Sequence, residues 1–221
     1  AVEGLPARSA EPAVLSAAAL FAPAPLRDPR VTLVVDDARI SLRRAPPGAF
    51  EVIASHPSNP WISGASSLFS AEYFALARSG LVRGGRMLAW VQLYETDRDA
   101  VRSVVAAYLR AFPETWALRS HPAARELLLL GFAGDAPADA DALVARMLRR
   151  MDTPSRRALA DAGVLTLDDL RARVVAGPGQ LARYVQGVEA HGEDRPVAEF
   201  RIADRMLAGT GDGPAEALAG L

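Results

Sequence analysis

The residues most able to do chemistry stand together in Ser55-His56-Pro57-Ser58-Asn59-Pro60. His56 offers an imidazole, which in its unperturbed form accepts a proton with a pKa of about 6.5. Ser58 and Asn59 offer a hydroxyl and an amide beside it. The two prolines forbid helix and cannot donate to a central ladder. Just before them, Phe50, Val52, Ile53 and Ala54 read as a short buried strand, and a helical pattern follows. A strand, a polar loop and a helix make half of a βαβ unit, and ligands in open α/β sheets bind beyond the carboxyl ends of the strands. The opposing interpretation is plainer. Ser58 and Asn59 are then turn residues, and His56 is a solvated loop histidine.

The elements that would position these residues alternate along the chain. Pro12 opens a helix carrying Val14, Ala17, Ala18 and Phe21, which Pro23 and Pro25 end. Val31–Val35 is a β-branched run of strand type with Asp36 and Asp37 at its end. Ile40–Arg44 is one helical turn. After the loop, a helix continues to Ser79, Leu81–Arg86 is a turn and Met87–Gln92 is the next strand. Asp97–Phe112 is a long amphipathic helix that Pro113 stops. Thr115–Arg119 and Glu126–Phe132 are two final strands forming an antiparallel pair. This alternation predicts an α/β fold with a mostly parallel sheet, in which Val31–Val35, Phe50–Ala54 and Met87–Gln92 are neighbours.

Beyond it the pattern is helical over Ala142–Met151, Pro154–Ala162, Leu167–Ala176 and Gly179–Val188, with Thr153 and Thr166 as N-caps. The predicted organisation is a sheet domain over 1–133, a linker over 134–141, a helical extension over 142–208 and a fraying, flexible tail over 209–221.

Composition narrows the function classes. The 221 residues carry a net charge of −1 and are 50% hydrophobic, which suits one globular domain of ordinary core size, or one plus a small appendage. Near-neutral charge gives no electrostatic case for nucleic acid. There are no cysteines, so disulfides and thiolate chemistry are excluded. The three histidines, His56, His121 and His191, lack paired ligand spacing, and no metal site is expected. No apolar run approaches the roughly 18 residues of a membrane helix. The first residue, Ala1, is not a methionine, the mark of a fragment or a trimmed chain.

The stretch VIASHPSNPWISGASSLFSAEYF resembles the core segment of the spermidine synthase family, the polyamine aminopropyltransferases. Within that family it is most similar to the synthase-like domain of bacterial proteins that fuse a multi-helix membrane region to it. Pro57, Ser58, Asn59, Pro60, Trp61, Gly64, Leu68, Phe69, Glu72 and Tyr73 match that pattern. Asp194-Arg195-Pro196 with Glu199-Phe200 matches the DRPxxEF motif that closes the domain, for which a structural ion-pair network at a chain reversal is the favoured reading. The resemblance runs from about Glu11 to Phe200.

It implies a Rossmann-like fold of the S-adenosylmethionine-dependent methyltransferase type, with a terminal antiparallel hairpin and a C-terminal helical segment. It also implies transfer of an aminopropyl group from decarboxylated S-adenosylmethionine to a putrescine-like amine. Nothing would bind tightly as a cofactor, since the nucleoside is a co-substrate. Asp37 falls at the adenine-side aspartate, with Asp36 beside it. Ser9 falls at the ribose carboxylate, and Glu11 would substitute only under a shifted register. Ser58, Asn59, Gln92 and Tyr94 would line the amine pocket; for Tyr94 a half-buried edge tyrosine is the equal alternative. His56 falls at the catalytic aspartate, and no glycine-rich loop precedes Glu11.

These departures set three readings side by side. One is an aminopropyltransferase-like enzyme of polyamine metabolism, inactive or active as this chain. Another is a non-catalytic binding or regulatory domain, and the third a methyltransferase. The family context implies a cytoplasmic place, an upstream membrane domain as partner with the chain on the cytoplasmic face, and self-association.

Overall fold

The computed structural model describes residues 29–57, 59, 60, 62, 64–149, 151–209 and 213–221. Ser9, Glu11, Ser58 and the helix expected from Pro12 therefore lie outside the described residues.

Asp37 starts the first described helix, α1 (Ala38–Arg44), by accepting from the amides of Arg39 and Ile40. Strand β1 (Phe50–Ser55) follows, then a 3-10 turn (Ser66–Phe69) and helix α2 (Ala71–Gly80). Ser70 caps α2 through the Tyr73 amide at 3.1 Å. Strand β2 (Leu81–Gln92) returns parallel to β1, pairing Ile53 with Met87 and Ser55 with Ala89. This is the βαβ unit that the loop at His56 predicts.

Helix α3 (Arg98–Ala111) leads to the antiparallel pair β3 (Thr115–Leu118) and β4 (Glu126–Phe132). β4 inserts beside β2, so the five strands among the described residues run in the order β1-β2-β4-β3-β5. Then come α4 (Ala140–Arg149), α5 (Thr153–Asp161), α6 (Leu167–Arg171), β5 (Val174–Ala176), α7 (Pro178–Tyr184), α8 (Val197–Ala208) and α9 (Pro214–Ala217).

Alternation decides the faces. Met87, Ala89 and Val91 of β2 and Leu127 and Leu129 of β4 are buried on one face. They meet Phe74 and Ala77 of α2 and Val101, Val104, Val105 and Tyr108 of α3 in one core cluster. The Tyr108 hydroxyl sits within this core, 2.8 Å from Met87 O, and accepts from the Gly131 amide at 3.0 Å. A Cβ on Gly131 would stand 2.6 Å from the Phe112 side chain, so close packing requires glycine there. On the other face Trp116, Phe132 and Leu143 form a smaller cluster under α4.

Several expectations are corrected. Val31–Val35 is not a strand, and Leu33 and Val35 are 44% and 66% exposed. β-branched composition alone does not make a strand. It needs a ladder, and among the described residues β1 pairs only with β2. The parallel part of the described sheet is thus β1–β2, and the other three pairings are antiparallel. Strand β2 begins at Leu81 rather than Met87, accommodating Gly84 at φ +78° and a register shift opposite Phe50–Val52. Leu167–Ala176 is split: the helix ends at Arg171, and Val174–Ala176 pairs with β3. The β-branched pair Val174-Val175 fits a strand better than a helix. Asp152, not Thr153, caps α5, because its carboxylate reaches the Ser155 amide at 2.9 Å.

The C-terminal elements pack against the sheet domain. Helix α8 lies along α3, and Ala217 of α9 is buried, its carbonyl accepting from the Tyr184 hydroxyl.

Candidate functional site

The parallel pair β1–β2 ends at Ser55 and Gln92, and the site residues gather beyond those ends. In the parallel register Ser55 faces Ala89, so the next step places His56 beside Trp90. Their rings meet edge to face with centroids 4.8 Å apart. His56 is exposed and Trp90 half-buried. Tyr94 stands 6.5 Å further along from Trp90, with the Arg125 guanidinium 5.4 Å from its ring centroid.

Tyr94 is fixed from two sides. Its hydroxyl donates to Asn59 Oδ1 at 3.3 Å, tying the loop after β2 to the loop after β1. Its carbonyl accepts from Gln92 Nε2 at 2.9 Å. The following residue, Glu95, has φ +50°, a left-handed conformation that costs a non-glycine residue energy. Gln92 is buried, and its Oε1 has no hydrogen-bond partner among the described residues. Gln92, Pro60, Phe69, Thr96 and Val101 line a cavity of about 10 Å³.

On the helix side of β1 the Tyr73 hydroxyl donates to Ser55 Oγ at 3.0 Å. Burial raises the Tyr73 pKa, the Ser55 bond works against this, and the negative charge of Asp37 adds to the rise. Both amides that Asp37 caps approach its Oδ1, at 2.8 and 3.2 Å. Asp36 accepts from Ser41 Oγ and from Arg44 Nη1, each at 3.2 Å.

Of the residues singled out in the sequence, His56, Asn59, Gln92 and Tyr94 come together at the strand ends, whereas Asp37 caps α1 and Asp36 is turned into it. Trp90 and Arg125 were not anticipated, and no role was read for Ser55 or Tyr73. Parity on a parallel pair would have found Trp90, since it shares a face and a register step with His56. Tyr73 was matched only as a motif position, and its bond to Ser55 needs the crossover geometry.

Behind the site, the DRPxxEF region makes a tight reversal in which Gly192 and Arg195 exchange backbone hydrogen bonds at 3.1 and 3.3 Å. Arg195 pairs with Glu189 rather than with Asp194 or Glu199, and Glu193 pairs with Arg39 of α1. Asp97, buried at the start of α3, accepts from the Ala100 amide and binds Arg201 and Arg205 of α8. Burial works to raise the Asp97 pKa, but the two arginines and the cap hold it below the usual carboxylate range.

The arrangement offers hydroxyls, amides and one imidazole to a ligand. Among the described residues no cluster of three or more histidine, aspartate or glutamate side chains is placed to hold a metal. No described helix is long and apolar enough to cross a membrane.

No protein-family model and no curated protein matches the sequence. Solved structures do. A probable spermidine synthase from Corynebacterium glutamicum superposes with a TM-score of 0.52 at 20% identity, covering 82% of this chain and 60% of that one. The chain has a spermidine-synthase-like fold. Such synthases carry a methyltransferase-like Rossmann fold. Spermidine synthase from Thermotoga maritima aligns over 92% of the chain and 59% of its own length, at 15% identity and a TM-score of 0.45. A spermidine synthase in complex with the transition-state analogue AdoDATO aligns at 15% identity and a TM-score of 0.44, over 58% of its own length. The chain thus spans about 60% of the length of the synthases it matches.

Proposed function

We propose that this chain is a spermidine-synthase-like domain of polyamine metabolism, built on the scaffold for aminopropyl transfer but without turnover as it stands. The observation that carries this reading is the identity of the residue at the end of β1. Attack of an amine on the carbon beside a sulfonium needs a group that takes the amine's proton and aligns both reactants. A carboxylate does this and also attracts a cationic polyamine. His56 stands there instead, exposed and leaning on Trp90. An imidazole accepts a proton but supplies no fixed negative charge. Asp36 is committed to Ser41 and Arg44.

The amine side is the better preserved half. Asn59, Gln92 and Tyr94 present hydrogen-bonding groups around one strand end. Gln92 Oε1, without a partner among the described residues, is the acceptor to which an amine N–H would donate, lacking the charge attraction that a carboxylate would add. The non-catalytic binding reading therefore follows from the same departures: the domain would hold an amine without transforming it, within a larger assembly that includes a membrane partner.

Calorimetric titration with decarboxylated S-adenosylmethionine, together with a transfer assay using putrescine, tests the proposal. The expected result is little or no heat at micromolar nucleoside and no spermidine formed. Micromolar binding or measurable turnover by the unmodified chain would overturn it and make His56 a working base.

A further inference from the structure

We propose that His191 is the positioning residue of the loop leading from β1 to α2, and that it holds this loop only as the neutral imidazole protonated at Nε2. The sequence treats His191 as a bystander to the DRPxxEF motif. The structure places it fully buried where four elements meet. Its backbone amide donates to Ser103 O of α3 at 3.0 Å, and its carbonyl accepts from the Ala71 amide, the first of α2, also at 3.0 Å.

The ring completes the junction. The Ala198 amide in the first turn of α8 approaches Nδ1 at 3.1 Å. A backbone N–H needs an acceptor, so Nδ1 carries no proton. The proton is then on Nε2, which stands 3.0 Å from Ser66 O and 3.2 Å from Ser66 Oγ. A carbonyl only accepts, so Nε2–H donates to Ser66. From there the loop is tied inward by its own backbone. Leu68 donates to Ala65 O, Ala65 to Ile62 O and Ile62 to Asn59 O, each at 2.9 Å. Asn59 is the residue that receives the Tyr94 hydroxyl. His191 thus sets the place of Asn59 through Ser66, without touching any ligand position.

Protonation breaks this arrangement. A second N–H at Nδ1 would point at the Ala198 N–H, donor against donor. The charges felt at the ring are Glu199 of α8 and Glu72 of α2; Glu189, Glu193, Asp194 and Arg195 lie on its own segment. α3 contributes Asp99 and Arg102, which pair at 3.4 Å, and the 3-10 turn contributes none. Glu193 and Glu189 are paired with Arg39 and Arg195. Burial pushes the His191 pKa down; the Ser66 bond and the charges of Glu199 and Glu72 oppose it without cancelling it. The sign follows. A base whose folded value is depressed gives stability that is complete above its unfolded value, near 6.5, and is progressively lost as pH falls below it. Acid therefore loosens the loop and the start of α8 together.

The inference rests on the proposed function only in calling the strand ends a site, and its test uses no ligand. Failure to bind a nucleoside or amine leaves it untouched, and its own failure leaves that reading untouched. Nitrogen-15 NMR of the imidazole should show Nε2 protonated and Nδ1 bare at neutral pH. On acidification the Ala198, Ile62, Ala65 and Leu68 amides should exchange about tenfold faster than the intrinsic pH trend allows, as expected for the loss of one good hydrogen bond.

Two variants separate the arms. In His191→Asn the side-chain oxygen replaces Nδ1 as acceptor, so Ala198 stays protected while the loop amides exchange about tenfold faster. In His191→Gln the amide nitrogen replaces Nε2 as donor, and the pattern reverses. Neither variant should keep the acid response. A ring protonated at Nδ1, loop exchange at the wild-type rate in His191→Asn, or an acid response surviving in both variants would each overturn the proposal. If both variants unfold, the imidazole spectrum and acid response of the unmodified chain decide alone.

Discussion

His56 and Trp90 form the cross-strand pair that continues the β1–β2 register one step past the last strand residue, their rings edge to face at 4.8 Å. An aromatic pair of this geometry is worth about 0.5–1.5 kcal/mol beyond its buried area. Exposure of His56 puts this one at the low end. A double-mutant cycle over His56→Ala and Trp90→Leu should give a coupling of about 0.5 kcal/mol in urea unfolding. Zero coupling would mean that the two rings are neighbours without interacting.

The same pair shapes what a restored carboxylate can do. His56→Asp removes the ring from Trp90 and adds the missing charge. It leaves Asp36 bound to Arg44 and leaves unchanged the positions where the resemblance places a nucleoside. The expected outcome is no spermidine from putrescine and a Trp90 emission that changes. Turnover in this single variant would mean that nucleoside binding is already competent.

How far the site was legible follows from particular residues. The strand–loop–helix pattern at Phe50–Tyr73 located the end of β1, because two prolines after an apolar run leave few alternatives; the strand itself is not buried as expected, with Val52 57% exposed. Gln92 and Tyr94 came from the family resemblance, and Gln92 does end β2. The long helix before Pro113 and the hairpin after it followed from periodicity. Val31–Val35 misled because strand propensity is context-dependent, and the described residues offer it no ladder. Val174–Ala176 misled in the opposite direction, since a three-residue strand is too short to show a period. His191 gave no sign at all, because its role depends on contacts with Ser66 and Ser103, more than eighty residues away in sequence.

Asp97 joins α8 to the start of α3, so its ionisation should govern the acid limit of stability. Its pKa is depressed in the folded state by Arg201 and Arg205. A depressed carboxylate contributes stability that is present above its unfolded value, about 3.9, and is lost as pH falls through the folded value. Asp97→Asn keeps an N-cap but loses the ion pairs. Asp97→Ala loses both, and the cap alone is worth about 0.5–2 kcal/mol. Urea unfolding at neutral pH should therefore rank the wild type above Asp97→Asn and Asp97→Ala last. Below about pH 4 the gap between wild type and Asp97→Asn should narrow. A gap that stays constant into acid would assign the acid limit to other carboxylates.

Tyr73→Phe tests the contact on the other side of β1. It removes the hydroxyl that donates to Ser55 and leaves the ring in the core. The expected cost is about 1 kcal/mol, the net value of one hydrogen bond, with the fold intact by circular dichroism. A larger loss would show that the bond also fixes the end of β1. No loss would mean that Ser55 finds another partner at once.

Asp37 offers the sharpest separation of a structural role from a binding one. Its Oδ1 takes both capping amides, and its charge is felt at Tyr73, on the side of β1 where the family resemblance places an adenine. Asparagine caps a helix about as well as aspartate, whereas alanine loses about 1 kcal/mol. Asp37→Asn should therefore unfold within about 0.5 kcal/mol of the wild type, and Asp37→Ala should be less stable by about 1 kcal/mol. Whether the carboxylate has any further use is then read in binding rather than stability. If the chain holds a nucleoside at all, Asp37→Asn should weaken it, because a charge-assisted hydrogen bond is roughly twice as strong as a neutral one. Titrating both variants and the wild type with decarboxylated S-adenosylmethionine at high concentration gives the answer. Weak binding that vanishes in Asp37→Asn, with stability unchanged, would keep the adenine side of the site in working order. Identical titrations for wild type and Asp37→Asn would leave Asp37 a helix cap and nothing more.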